Sequence, residues 1–220
     1  MTIAAIAFLA LAQPRTWGGT PVWAPGSPDA APMRTIFHTV DITLTRDTVT
    51  YKTKSLFKYT GDKAVTGSIL VPVYGNGEFP GECPVSAKFA DAAVSAGAGV
   101  ARTWRLGESC ASARGFSVKF QPGATKSFES TFTRPLIKAG EGMAERLVLY
   151  EVLDERDKLE QFQVAIKYPK KLVFQTLSTN PHSGWQIGET GAWWSGKEWL
   201  PRHTVFQFRF FPGTFEKIGG

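Results

Sequence analysis

Four tryptophans fall within fifteen residues near the end of the chain: Trp185, Trp193, Trp194 and Trp199. Flat indole faces beside Gly, Ser, Lys and Glu residues suit stacking on sugar rings, and tryptophan also anchors protein interfaces. The competing interpretation is that these side chains pack over a core. In a strand, Trp193 and Trp194 point to opposite faces, so one of the two is a candidate for exposure. The four residues form the candidate ligand-binding site of this chain.

Residues 191–197, with the sequence GAWWSGK, match the first seven positions of a phosphate-binding loop. The eighth position is Glu198, where Mg²⁺ binding requires serine or threonine. Two adjacent tryptophans also occupy a loop whose backbone must approach phosphate closely. Because no strand–helix–strand pattern surrounds the motif, nucleotide binding is not expected.

Residues for catalysis or metal binding do not form a recognisable pattern. The three histidines, His38, His182 and His203, have no partner at a spacing typical of a catalytic triad, and no GxSxG motif occurs. Each is expected at the surface or in a turn. His182 and His203 could meet a carboxylate such as Glu189 or Glu198 around a metal. We nevertheless expect no catalytic residue, no metal site and no cofactor, with a hydrolase of unrecognised site as a minor alternative.

The two cysteines, Cys83 and Cys110, are an even number in a chain otherwise without cysteine. A bridge between them would close a loop of roughly 28 residues, and the chain-entropy model gives such a bridge about 3–4 kcal/mol. Two buried free thiols are the alternative. No CxxC spacing indicates a zinc ribbon or a redox motif. We predict a disulfide, which agrees with an exported protein.

The first twelve residues resemble a signal peptide. Residues 3–12 are apolar and uncharged, and Ala10-Leu11-Ala12 fits the small-x-small cleavage rule, although no basic residue precedes the run. A short buried strand or helix is the alternative. The run is too short to span a bilayer, and no other stretch is long enough for a transmembrane helix. We expect an exported protein that is periplasmic, on the cell surface or extracellular.

Residues 13–33 contain five prolines and are predicted to form a spacer rather than a folded element. Trp17 and Trp23 within it are expected to pack back onto the domain. The formal net charge of +6 comes from scattered basic residues, whereas a nucleic-acid-binding protein concentrates them on one element. An apolar fraction of 43% suffices for a core. Nucleic acid is therefore not an expected partner.

Alternating apolar and polar residues predict β-strands along most of the chain. Residues 35–74 read as three successive strands, and residues 162–168 and 205–211 alternate equally clearly. Residues 85–99 fit a hairpin better than a short helix, and residues 104–112 are predicted as a loop. Eleven or twelve short strands are typical of an all-β, antiparallel β-sandwich. We expect two packed immunoglobulin-like lobes, residues 34–139 and residues 140–220.

Several turn-level motifs occur in a recognisable order. They are the strand VDITL (residues 40–44), the turn Gly61-Asp62, the strand end Val71-Pro72, the turn Pro122-Gly123 and the strand end Tyr168-Pro169. Over about residues 36–175 this order resembles a family of uncharacterised exported bacterial β-sandwich proteins of the cell envelope. The resemblance implies an immunoglobulin-like fold and an envelope location. It brings no activity and no catalytic residues.

Together these features favour a non-catalytic, exported envelope protein with a structural or protein-binding role. A carbohydrate-binding module that uses residues 185–199 is the main alternative. The partner would be another envelope protein or a polysaccharide.

Overall fold

The computed structural model describes residues 16–25, 33–76, 86–89, 101–106, 109–138, 144–152, 159–201 and 204–213. These ranges contain sixteen β-strands and no helix, so the prediction of an all-β protein is confirmed. The described ranges therefore contain no helix that could cross a membrane. In chain order, the strands are β1 (Thr16–Gly19), β2 (Val22–Pro25), β3 (Met33–Leu44), β4 (Thr48–Tyr59), β5 (Val65–Asn76), β6 (Ser86–Phe89), β7 (Ala101–Leu106), β8 (Ser109–Phe120), β9 (Thr125–Pro135), β10 (Ile137–Lys138), β11 (Arg146–Val152), β12 (Leu159–Lys167), β13 (Val173–Asn180), β14 (Gln186–Ile187), β15 (Gly191–Trp199) and β16 (Thr204–Pro212).

The strands form two sheets. The seven-stranded sheet has the order β14-β15-β12-β3-β4-β9-β6. The nine-stranded sheet follows the order β13-β16-β11-β1-β5-β8-β7, with β10 added to β11 and β2 added to β5. Both sheets cross the expected boundary near residue 139, because strands from before and after it lie side by side in each sheet. The expected division into lobes of residues 34–139 and 140–220 is therefore not visible in the sheet order.

Both sheets are mixed, so the expected antiparallel β-sandwich is not confirmed: the sheets are partly parallel. β3 runs parallel to β12, and β1 runs parallel to β11. In each pair the two strands are separated by more than a hundred residues of chain. Alternation along one strand specifies its two faces and not its neighbour, so a parallel pairing over such a distance leaves no local signal.

Residues 16–25 form two strands where a spacer was expected. Trp17 lies in β1, stacks on Tyr74 at 6.2 Å and donates a hydrogen bond from Nε1 to Glu151 Oε2 at 3.1 Å. Next to it, a Cβ on Gly18 would lie 2.5 Å from Phe132, so only glycine lets β1 approach the core this closely. These contacts override the local effect of the prolines, and the expected packing of Trp17 is confirmed. Residues 1–15, with the predicted signal peptide, and residues 26–32 lie outside the described ranges.

The inward faces of the two sheets share one hydrophobic core. Phe162 of the seven-stranded sheet stacks on Phe206 of the nine-stranded sheet at 5.1 Å. Tyr51 and Tyr150 make a second stacked contact between the sheets at 6.1 Å. Along β4 and β16 the buried residues recur at every second position, as the alternation predicts.

Two further segments differ in detail from the expected pattern. The loop predicted for residues 104–112 is largely a hairpin of β7 and β8, whose strands pair from Ala101↔Arg114 to Leu106↔Ser109. Of the segment 85–99, Ser86–Phe89 is a strand, in keeping with the hairpin interpretation, and the remainder lies outside the described residues.

Candidate functional site

The tryptophans of residues 185–199 do not form a common exposed surface. Trp194 is 8% exposed, whereas the neighbouring Trp193 is 44% exposed. Trp185 and Trp199 are partly buried against the main core. The opposite orientation of Trp193 and Trp194 is the one that alternation in a strand requires. Only Trp193 therefore keeps a face large enough to meet a ligand.

The other tryptophans are held in the core by specific contacts. Trp194 lies edge-on to Phe206 at 5.0 Å and donates a hydrogen bond from Nε1 to the carbonyl oxygen of Ser183 at 3.1 Å. Glu198 has a φ of 48°, and this left-handed residue interrupts the alternation of β15. Trp199 therefore turns inward and packs on Phe162 at 4.9 Å.

Trp193 lies on the outer face of the seven-stranded sheet, in a row of residues that crosses the sheet. Its cross-strand neighbours are Gln186 on β14 and Ala165 on β12. The row continues through Asp41 on β3 to Lys52 on β4. Because the methyl group of Ala165 is small, the indole ring has little beside it on that side.

Lysines dominate the charge of this outer face. We call the surface formed by Trp193, Lys52, Lys54, Lys88, Lys167 and Lys197 the lysine face, and all six side chains are exposed. Their strands are placed by continuous pairing from β15 through β12, β3, β4 and β9 to β6. Sequence reasoning missed this surface because its lysines are scattered along the chain.

Two carboxylates lie among the lysines of this face. Glu129 is 3.1 Å from Lys88 and 3.8 Å from Lys54, and Asp41 is 3.7 Å from Lys167. A hydrogen bond from Lys88 is the largest cause of the lowered pKa of Glu129. Burial opposes it, and the charges of Lys88, Lys54 and Lys52 add to the lowering. Five lysines against two carboxylates leave the lysine face positively charged.

A buried chain of polar side chains joins the two sheets near the centre of the core. His38 is 0% exposed, and its ring nitrogens lie 2.7 Å from Ser55 Oγ and 2.7 Å from Tyr150 Oη. Burial lowers the pKa of His38 to about 3 and raises that of Tyr150. A serine and a histidine at this distance resemble a catalytic pair, but their complete burial keeps substrate away.

The surface position expected for His38 is therefore wrong. His38 points to the same side of β3 as Val40, Ile42 and Leu44, and all four side chains are buried. That alternation was the signal that could have placed this histidine in the core.

The remaining candidate residues give no catalytic or metal constellation among the described ranges. Residues 191–199 form strand β15, so the segment that matches a phosphate-binding loop is extended backbone. No group of three His, Cys, Asp or Glu side chains within the described ranges could hold a metal ion, and His203 lies outside them. Cys110 is a buried free thiol, and Cys83 lies outside the described residues. The Cys83–Cys110 bridge therefore stays a prediction without structural support.

Comparison with known proteins identifies a related fold. No protein-family model matches the chain, and no curated protein matches it either. A crystal structure of a "putative nutrient binding protein" from Legionella pneumophila is similar, with a TM-score of 0.62, 16% identity, and coverage of 89% of this chain and 71% of that one. An M1 zinc metallopeptidase from Deinococcus radiodurans has a TM-score of 0.37 and 8% identity, with 82% of this chain and 42% of that one covered. At these identities, the first likeness concerns the fold alone, and the second carries no argument.

Proposed function

We propose that this protein is an exported, non-catalytic β-sandwich protein of the cell envelope that binds another envelope component through the lysine face. The observation that carries this proposal is the continuous exposed surface of the seven-stranded sheet, on which Trp193 and five lysines share one side. Strands hold these side chains at fixed spacings, about 4.8 Å between neighbouring strands and roughly 7 Å between rows. Binding groups on such rigid elements are positioned before the partner arrives.

A binding role is favoured over hydrolysis by the burial of the residues that most resemble catalytic machinery. His38 and Ser55 are both 0% exposed and lie between the two sheets. The similar structure from Legionella pneumophila is described as a "putative nutrient binding protein". At 16% identity, this similarity concerns the fold and not the ligand. The partner of the lysine face is an envelope protein or a polysaccharide.

Cosedimentation with isolated cell envelopes of the source organism tests the proposal. We expect the purified chain to sediment with the envelopes and the double variant Lys52→Glu/Lys54→Glu to bind at least tenfold more weakly. Lys63→Glu/Lys119→Glu is the matched control, because both lysines are exposed and lie off the lysine face. Equal sedimentation of the two double variants would contradict the proposed binding surface.

Export is tested separately by cell fractionation. We expect the protein outside the cytoplasm, with a mass that corresponds to a chain beginning at Gln13. A full-length chain confined to the cytoplasm would contradict the envelope location.

A further inference from the structure

We propose that the component bound by the lysine face is a polysaccharide whose sugar rings carry carboxylates, with a ring stacked on Trp193 and carboxylates paired with the lysines. This inference rests on the proposed function, since it names the partner of the same surface. It is carried by the arrangement of charge on the sheet and by the position of the exposed indole of Trp193.

The spread of the lysines fits an extended polyanion better than a compact anion. From Lys167 on β12 to Lys88 on β6 the sheet order passes β3, β4 and β9, which corresponds to about 19 Å at the usual strand spacing. Lys52 and Lys54 lie between them on β4, about 7 Å apart along the strand. A small anion can reach one or two of these ammonium groups. A polymer that lies across the strands can reach all four.

The carboxylates on the face leave positive charge available. Glu129 is shared by Lys54 and Lys88, and Asp41 is next to Lys167. Lys52 forms no ion pair with any residue of the described ranges, although it lies in the middle of the face. Because each exposed ion pair contributes little, affinity must come from several such contacts made together.

The acidic residues near the rim locate the centre of the contact. Glu160 and Glu198 are exposed at the ends of β12 and β15, beyond Lys197. They lower the positive potential at that end of the face. The polymer therefore makes its main contacts with the lysines of β4, β6 and β12.

Trp193 supplies the part of the site that recognises a sugar ring. Ala165 beside it leaves the indole accessible, and Gln186 on its other side offers an amide for a hydroxyl group. Lys167 is the diagonal neighbour of Trp193, about 7–8 Å away. A ring stacked on the indole can thus place a carboxylate near this ammonium group.

The composition of the face favours carboxylates over phosphates. Arginine is the residue that recognises phosphate through paired hydrogen bonds, and the cations around Trp193 and Lys52 are lysines, whereas Arg34 lies opposite Lys58 at the far end of β3 and β4. One exposed indole is also too little apolar surface to enter a lipid layer. Nucleic acids and anionic membranes are therefore the weaker fits.

Affinity measurements on the full chain test the inference, with polygalacturonate as the probe and neutral dextran of matched length as its control. At low salt we expect binding to polygalacturonate and none to dextran. Trp193→Ala should weaken the affinity at least fivefold, and Lys52→Glu/Lys54→Glu at least tenfold. Only the lysine variant should reduce the dependence of affinity on salt, because it alone changes the number of ionic contacts.

Two matched controls should bind as the natural protein does. Phe174→Ala removes an aromatic side chain that is 78% exposed on β13 of the other sheet. Lys63→Glu/Lys119→Glu changes the net charge as much as the test variant does. Unchanged thermal unfolding of all variants would show that altered binding reflects the surface.

The possible failures have different meanings. The inference would be overturned if Trp193→Ala left the affinity for polygalacturonate unchanged. Equal affinity for single-stranded DNA or anionic lipid vesicles would overturn it as well. Either result would mean that the surface attracts any polyanion through its net charge alone. No binding to polygalacturonate combined with lysine-dependent binding to envelopes would also overturn it, in favour of a protein partner, and leave the proposed function intact. Loss of both interactions would refute both.

Discussion

The folded protein should keep His38 uncharged well below the pH at which a histidine in an unfolded chain takes up a proton. Burial lowers the pKa of His38 from 6.5 to about 3. Its hydrogen-bonding neighbours, Ser55 and Tyr150, are neutral hydroxyl groups, and Phe162 stacks on the ring at 5.4 Å. A proton on His38 would therefore place an unpaired charge in the core.

The size of the effect on stability follows from the two pKa values. Between pH 6.5 and about 3 the unfolded chain binds a proton at His38 and the folded chain does not. The free energy of unfolding therefore falls as the pH falls, by about 1.4 kcal/mol for each pH unit within this window. By pH 4.5 the loss due to His38 reaches about 3 kcal/mol, and above pH 6.5 it is close to zero.

Urea denaturation at pH 7.5 and pH 4.5 measures this loss. His38→Gln removes the titration and keeps a side chain that can bond to Ser55 and Tyr150. We expect the natural protein to lose about 3 kcal/mol more than His38→Gln between the two pH values. Glu129 has a lowered pKa and adds an acid-dependent loss, but it does so in both proteins and cancels in the difference.

A second histidine supplies the control for this experiment. His182 is exposed, so His182→Gln should keep the extra loss shown by the natural protein. If the natural protein and His38→Gln lost equal stability, His38 would not be sealed between the sheets. The description of the core around it would then be refuted.

The remaining predictions concern packing and are measured as free energies of unfolding at pH 7.5. Trp194→Ala should lower the free energy of unfolding by about 3–5 kcal/mol because it leaves a cavity in the core. Trp193→Ala should change it by less than about 0.5 kcal/mol. Equal losses would contradict the conclusion that Trp194 faces the core and Trp193 faces outward. Gly18→Ala should cost about 1–3 kcal/mol, because the added Cβ would lie 2.5 Å from Phe132, and a cost near zero would show that β1 is loosely held. Tyr51→Phe should cost about 1–2 kcal/mol through loss of the 2.9 Å hydrogen bond to the carbonyl oxygen of Leu149, and an unchanged stability would mean that water replaces this contact.

Strands with clear alternation could be predicted from the sequence, because their two faces differ in polarity. β3, β4, β12 and β16 match their predicted segments closely. The same periodicity correctly separates Trp193 from Trp194. The same alternation also places His38 on the buried side of β3 with Val40. The polarity of histidine led to the opposite expectation.

The N-terminal strands could not be predicted in this way. β1 has four residues, two of them glycine, and prolines surround it. Glycine and proline disfavour strands in isolation. β1 exists because Trp17 and Gly18 fit between Tyr74 and Phe132, residues that the local sequence does not reveal as neighbours.

The lysine face depends on one long-range pairing in the same way. Lys52 and Lys54 belong to β4, whereas Trp193 belongs to β15, and the two strands share a surface only because β3 runs parallel to β12. Shifting this pairing by one residue would turn the outer residues of β12 and β15 toward the core relative to those of β4. Burial of Ile42 beside Ile166 opposes such a shift, because Ile166 would then leave the core that Ile42 occupies. The packing of the core therefore determines which charges and which indole the proposed ligand meets.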